Sequence, residues 1–241
     1  MKQRQIEIIP AILPKNLKEL EDKLNSLKEV YAKLGTDKPT VQVDITYGGL
    51  ISLSEKSFAF IHEIIIQMKP ILSKFNFNFE IDVIVDFEDE EDFKIWRELD
   101  VGRIIFHHES KLSNKWLKDF NSNIELGISL KPKTSTEDIF QYLENIDVIQ
   151  FMGIDNVGYQ GQTFNPDVIN KIEEYRKENP DMIISVDGGV NLENAQKLID
   201  AGTNRLVIGS AIFGKNNFAC QQAGSVQEIL EKIKEFENLS N

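Results

Sequence analysis

The chain of 241 residues is long enough for one large α/β domain that buries roughly 70% of its unfolded surface. Hydrophobic residues make up 41% and charged residues 27%, an ordinary balance for a water-soluble globular chain. The 39 acidic residues against 27 basic ones leave a net charge of −12, which argues against nucleic acid and anionic membranes as partners, since both are polyanions. Cys220 is the only cysteine, so no internal disulfide can form, as suits a reducing cytosol. The opening MKQRQIEIIPAIL carries Glu7 and Pro10 in its apolar run and no small-residue cleavage site, so it does not read as a signal peptide. No apolar stretch approaches the roughly 20 residues that span a bilayer. The expectation is a soluble, cytoplasmic protein.

Short β-branched runs recur along the chain: residues 6–13, 40–46, 79–85, 103–108, 124–130, 147–152, 182–187 and 205–210. Between them lie segments with helical spacing. Leu17, Leu20, Leu24, Leu27 and Val30 form the first, Ile61, Ile64, Ile65 and Met68 the second, and Val168, Ile169 and Ile172 a later one. FEDEEDF (87–93) reads as a solvated helix start with its acids at the positive dipole end. Asn191 before Glu193, and Ser225 before Glu228, read as further helix starts. The Phe-rich KFNFNF (74–79) reads as burial under the chain's own helix layer rather than against a second copy. Eight strands and eight helices in strict alternation imply parallel pairing and right-handed crossovers. In a chain of this length that predicts a closed (β/α)8 TIM barrel, one domain over residues 1–241, in preference to an open doubly wound sheet.

Side chains alternate across a strand, so one face of each strand meets the helices and the other the barrel interior. With Val41, Val43 and Ile45 facing out, Gln42, Asp44 and Thr46 turn inward. The same reasoning turns Asp82, His107, Ser185 and Asp187 inward, and sends His108 toward the helix layer. Three aspartates from three strands then converge near the C-terminal strand ends, where barrel active sites are built. Confined carboxylates repel one another and lose hydration, so the cluster requires a cation, a shared proton or a donor network.

Glycines mark a second group of residues. Gly158 and Gly161 follow the sixth strand, Gly188 and Gly189 the seventh, and Gly209 with Ser210 the eighth. Glycine there lets backbone N–H groups approach an anion closely, and barrels commonly bind phosphate on the loops after strands seven and eight. Neutral backbone donors can hold a dianion even on an acidic protein.

The segments VGYQGQTFNPDVINKI, VDGGVNLENAQKLIDAG and VIGSAIFG, with IPAILPKNLKELEDKL near the start, resemble the ribulose-phosphate 3-epimerase family in order and spacing over nearly the whole chain. The resemblance implies a (β/α)8 barrel of the ribulose-phosphate-binding type that interconverts ribulose 5-phosphate and xylulose 5-phosphate. It also implies a divalent metal held by two histidines and two aspartates, the aspartates doubling as acid and base. Symmetric assemblies are frequent in the family, so a homo-oligomer is compatible with the resemblance. Carried over by position, the His-x-Asp of the second strand becomes Gln42 and Asp44, the histidine of the third strand becomes Asp82, and the aspartate of the seventh is Asp187. Both proton-transfer aspartates are therefore present, and both histidine ligands are replaced. Ala11 stands in place of the usual serine, Thr46, Tyr47 and Gly48 in place of Met-Asp-Gly, and Gln160 where glycine is usual.

Epimerisation beside a ketone removes a proton from one face and returns one to the other, for which Asp44 and Asp187 are the candidate pair. Gln42, Asp44, Asp82 and Asp187 form an all-oxygen ligand set, which favours Mg2+ or Mn2+ over Zn2+ or Fe2+. No organic cofactor is implied. His107 and Gln162 are candidates for substrate contact. The partner expected is a small sugar phosphate. The rival readings are an epimerase of a hexulose phosphate, a catalytically silent phosphosugar-binding barrel, and another isomerase or lyase on the same scaffold.

Overall fold

The computed structural model describes residues 6–47, 58–120, 123–158, 162–214 and 226–239. Gly48, Gln160, Gly161, Cys220 and Ser225 lie outside the described residues. Eight strands pair in parallel, each with its successor, and the first pairs with the eighth to close the barrel. They are β1 (Glu7–Ile12), β2 (Thr40–Thr46), β3 (Asn78–Ile84), β4 (Arg103–His107), β5 (Glu125–Leu130), β6 (Val148–Met152), β7 (Ile183–Asp187) and β8 (Arg205–Ile208). All eight predicted strands are present, with ends displaced by at most two residues.

The helices run α1 (Leu17–Leu34), α2 (Phe58–Leu72), α3 (Glu90–Lys94), α4 (Asn114–Lys118), α5 (Asp167–Glu178), α6 (Leu192–Ala201), α7 (Ser210–Phe213) and α8 (Val226–Glu237). Strict α-helical alternation fails after β5, where the crossover is a 3-10 run over Thr136–Asn145. Its buried anchors, Ile139 and Tyr142, lie three residues apart, the spacing that 3-10 geometry stacks on one side. Helix α7 is an additional short turn between β8 and α8. The helix start at α3 is as expected, with Asp89 accepting from the backbone N–H of Glu91 and Asp92, but the segment is not fully solvated: Asp92 is buried, and Phe87 and Phe93 belong to the core.

The apolar face of every strand packs outward. Val41, Val43, Ile45, Ile81, Val83, Ile104, Phe106, Ile184 and Val186 share one core with Leu20, Leu24, Leu27 and Val30 of α1. Phe75, Phe77 and Phe79 are buried in that same core, Phe75 stacking on Phe77 at 5.8 Å. KFNFNF thus packs against its own molecule. Helix α6 starts on Asn191, whose reciprocal capping partner is Asn194 rather than Glu193.

Inside the barrel the pattern is reversed. A small apolar patch of Ile9, Ala11 and Val207 sits among buried Gln42, Glu80, Asp82, His107, Ser129, Gln150 and Ser185. Gly127 on β5 makes room there for Ile105, whose Cδ1 a Cβ would approach to 2.3 Å.

Arginines and glutamates close the N-terminal end. Arg103 Nη2 and Arg205 Nε each lie 3.1 Å from Glu7 Oε2, and both guanidinium groups also reach Glu125. Glu80 is fully buried, and neither of its oxygens has a hydrogen-bond partner; Arg103 Nη1 is 3.7 Å away. Burial therefore pushes Glu80 up to about 8 against the pull of Arg103 and Arg205. For Glu7 burial also pushes upward, but Arg103, Thr40 and Arg205 outweigh it and leave the carboxyl below its usual value.

The sign for stability follows from proton binding. Between about pH 4.5 and 8 the folded chain holds a proton on Glu80 that the unfolded chain releases, so this group's contribution falls as pH rises through that window. Glu80→Gln should flatten that slope and leave the variant more stable than the parent at pH 8, by an amount on the order of a few kcal/mol. Urea unfolding at pH 5 and pH 8 checks this, and an unchanged slope contradicts it.

Candidate active site

Asp44 and Asp82 lie directly opposite each other in the β2–β3 register, and Asp187 is the last residue of β7. An eight-stranded barrel is narrow, so inward side chains from opposite staves meet near its axis. One carboxylate oxygen from each of Asp44, Asp82 and Asp187 lies within 4.8 Å of the other two. Gln42, two residues before Asp44 and hence on the same face of β2, lies between two of them. Its Nε2 donates to Asp44 Oδ1 at 2.7 Å and to Asp187 Oδ2 at 3.1 Å. Although β2 and β7 are far apart in sequence, one amide group spans their two carboxylates.

The electrostatics follow from this crowding. Burial first, then the charges of Asp187 and Asp82, push Asp44 well above its ordinary value, while the Gln42 hydrogen bond opposes the rise. Burial and then Asp82 push Asp187 up to about 7, against hydrogen bonds from Gln42 and the Gly188 N–H and the pull of His107. The group is therefore poised to hold a proton at neutral pH.

His107 Nε2 lies 3.1 Å from Asp82 Oδ1, and both residues are buried. Burial disfavours the imidazolium, but Asp82 outweighs it and raises the His107 pKa. His107 does point inward as expected. It is not among the residues that line the cavity above the cluster, and its ring engages Asp82 instead. His108 packs against Tyr142 of the 3-10 run, with ring centroids 5.9 Å apart.

The cavity encloses about 530 Å³ including its open mouth. Asp44 and Asp187 line its floor, and Gly158, Gly188, Gly189, Gly209, Ser210 and Gln162 belong to its wall. The loops after β6, β7 and β8 thus converge on the two aspartates, and among these glycine-loop candidates only Gly161 lies outside the described residues. Gly188 and Gly189 have φ of +98° and +70°, a backbone path that favours glycine and leaves no side chain over the cavity. Gln162 anchors its loop by donating from Nε2 to the Asn156 carbonyl.

Three kinds of contributor escape a search for inward polar residues. Ala11, Ile84 and Met152 form apolar wall, and Met152 faces Asp187 across the β6–β7 register. The inward period of β6 (Val148, Gln150, Met152) signals that position once apolar side chains are also considered. Gly153 is the second kind: its N–H donates to the Asp187 carbonyl at 2.6 Å, and a Cβ would lie 2.1 Å from the Gly188 carbonyl oxygen. Phe164 is the third, wedged against both Gly153 and Gly189 and fastening the β6 loop to the β7 loop.

A profile of the ribulose-phosphate 3 epimerase family matches residues 7–213. Among curated proteins, ribulose-phosphate 3-epimerase of Buchnera aphidicola is 36% identical over 143 residues, covering 56% of this chain and 61% of the relative. Its counterpart in Schizosaccharomyces pombe is 34% identical over 131 residues, covering 54% of each. The chain thus spans about half to three fifths of the length of these relatives. Solved structures with the same architecture include KGPDC from Streptococcus mutans, with a TM-score of 0.58 at 14% identity, covering 97% of this chain and 99% of that one. Thiamine phosphate pyrophosphorylase from Pyrococcus furiosus aligns with a TM-score of 0.56 at 14% identity, covering 97% and 98%. At that identity the likeness concerns the fold alone.

The contact between the β6 and β7 loops yields a direct expectation. Gly153→Ala forces the new methyl into the Gly188 carbonyl, and overpacking of this kind costs about 2 kcal/mol. Thermal unfolding should show Tm lower by roughly 4–8 °C. An unchanged Tm contradicts the close approach.

Proposed function

Since the chain belongs to the ribulose-phosphate 3-epimerase family, we propose that it epimerises a ketose phosphate beside its ketone, converting ribulose 5-phosphate to xylulose 5-phosphate. The observation that carries this reading is the convergence of two aspartates, bridged by one amide, with three glycine-rich loop ends on one cavity.

In this reading the backbone N–H groups around Gly158, Gly188, Gly189, Gly209 and Ser210 hold the phosphate; the candidate Gly161 lies outside the described residues. Gln162 contacts the sugar, and Ala11, Ile84 and Met152 pack against its carbon skeleton. One aspartate of the pair Asp44 and Asp187 acts as a carboxylate and takes the C3 proton, and the C3–H electron pair moves into the enediolate. The other, protonated, delivers its proton to the opposite face of C3. Burial and mutual repulsion allow the two to hold different charges near neutrality, as such an exchange requires. Each turnover leaves the protonation of the pair reversed, and solvent resets it.

The residues present fit a hard divalent cation. Besides the three converging carboxylate oxygens, Asp82 Oδ2 and Gln42 Oε1 are buried without hydrogen-bond partners. Asp44, Asp82 and Asp187 with Gln42 would hold it, and their oxygen chemistry favours Mg2+ or Mn2+. Such an ion supplies polarisation of the ketone and the adjacent hydroxyl. His107, bonded to Asp82, orients that carboxylate rather than touching the sugar.

Incubation with ribulose 5-phosphate in D2O and added Mg2+ or Mn2+ tests the proposal. We expect deuterium at C3, reduced about 10²- to 10⁴-fold in Asp44→Asn and in Asp187→Asn while the sugar phosphate still binds. Binding by the unaltered protein with no exchange contradicts catalysis and leaves a silent phosphosugar-binding barrel. Exchange only with a hexulose phosphate moves the substrate, not the chemistry.

A further inference from the structure

We infer that the Gln42 side chain works in two senses, bridging the aspartates through its nitrogen when no cation is present and turning over to ligate a cation through its oxygen. The inference rests on the proposed reading of this site as one that holds a divalent ion.

Gln42 is fully buried on β2 and makes two hydrogen bonds, both from Nε2, to Asp44 Oδ1 and Asp187 Oδ2. Its Oε1 is buried and accepts no hydrogen bond among the described residues. The sense of the amide is therefore set by the two carboxylates alone. No hydrogen bond on the oxygen side has to be broken for a change.

A primary amide has nearly the same shape in both senses, so a half-turn about its last torsion needs no repacking. The demand at the carboxylate side depends on occupancy. Acceptor oxygens with no cation call for a donor, and the two N–H bonds of Nε2 match the two carboxylates. With a cation between the carboxylates, the amide hydrogens would face positive charge, whereas the amide carbonyl is an ordinary ligand for hard divalent ions. Asp82 supplies the complementary fixed arm. His107 holds its Oδ1 at 3.1 Å, and Oδ2 is buried with no hydrogen-bond partner.

One consequence is that the carboxylates are never left without a partner. Another is that the ion gains a ligand but must displace two hydrogen bonds, which keeps its binding readily reversible. Gln42 is then a positioning residue for Asp44 and Asp187 as well as a ligand.

Calorimetric titration with Mn2+ separates the alternatives, using the full chain, Asp82→Asn and Gln42→Met, each checked for folding by thermal melt. The inference predicts that the unaltered protein binds Mn2+, that Asp82→Asn loses binding, and that Gln42→Met binds about tenfold more weakly or worse. Binding that is equal or tighter in Gln42→Met would mean the amide only competes with the ion, which overturns the inference and leaves the cation site standing. Absence of Mn2+ binding by the unaltered protein overturns both. Should Gln42→Met fail to fold, Gln42→Asn shortens the reach while keeping the amide, and the same weakening is expected. Side-chain 15N–H spectroscopy gives a second readout. The Gln42 NH2 resonances, identified by their loss in the variant, should shift with Mg2+ in step with saturation, and resonances that stay in place contradict the turn.

Discussion

Three carboxylates crowded into the axis of a narrow barrel are the constraint from which the rest of the site follows. Asp44, Asp82 and Asp187 approach within 4.8 Å of one another in surroundings that exclude most water. Repulsion between buried like charges is severe unless it is relieved, and the structure shows two forms of relief. The Gln42 amide donates to Asp44 and Asp187, and the His107 ring bonds Asp82. Burial and the neighbouring charges also raise the pKa values of Asp44 and Asp187, which favours a third form of relief, a retained proton. The same tension that destabilises the cluster keeps the pair from easily ionising twice, which is the property the proposed acid–base exchange uses.

The scaffold tolerates this cluster by keeping its layers distinct. Outward faces of the strands carry almost all the apolar packing against the helices, leaving the interior to polar residues, a few apolar ones and Gly127. Charges are then divided between the two ends. At the N-terminal end Arg103 and Arg205 neutralise Glu7 and Glu125, while at the C-terminal end no arginine or lysine among the described residues lines the cavity. Glycines of the β6, β7 and β8 loops line the mouth instead, with Phe164 packed against Gly153 and Gly189.

Much of this was legible in the sequence because strand alternation is a local rule. Period two alone turned Asp44, Asp82, His107 and Asp187 inward, and the structure places all four there. The role of Gln42 was harder to read. Its position suggested a ligand, but which amide atom faces the carboxylates depends on groups brought together from β2 and β7. Gly153 escaped for a similar reason, since only the carbonyl of Gly188, 35 positions later, makes a side chain there intolerable. The 3-10 crossover after β5 carries a three-residue spacing that a search for helical period absorbs into an α-helix. Apolar lining such as Met152 is invisible to a search that counts only polar groups.

The central claim is that crowding holds a proton on this cluster near neutral pH, and a 13C-carboxyl titration of aspartate-labelled protein in EDTA tests it most directly. The account predicts an aspartate resonance that titrates at about pH 7 and disappears in Asp187→Asn. If every aspartate in the folded protein instead titrates in the ordinary range near 4, the carboxylates do not feel one another as described and the account fails.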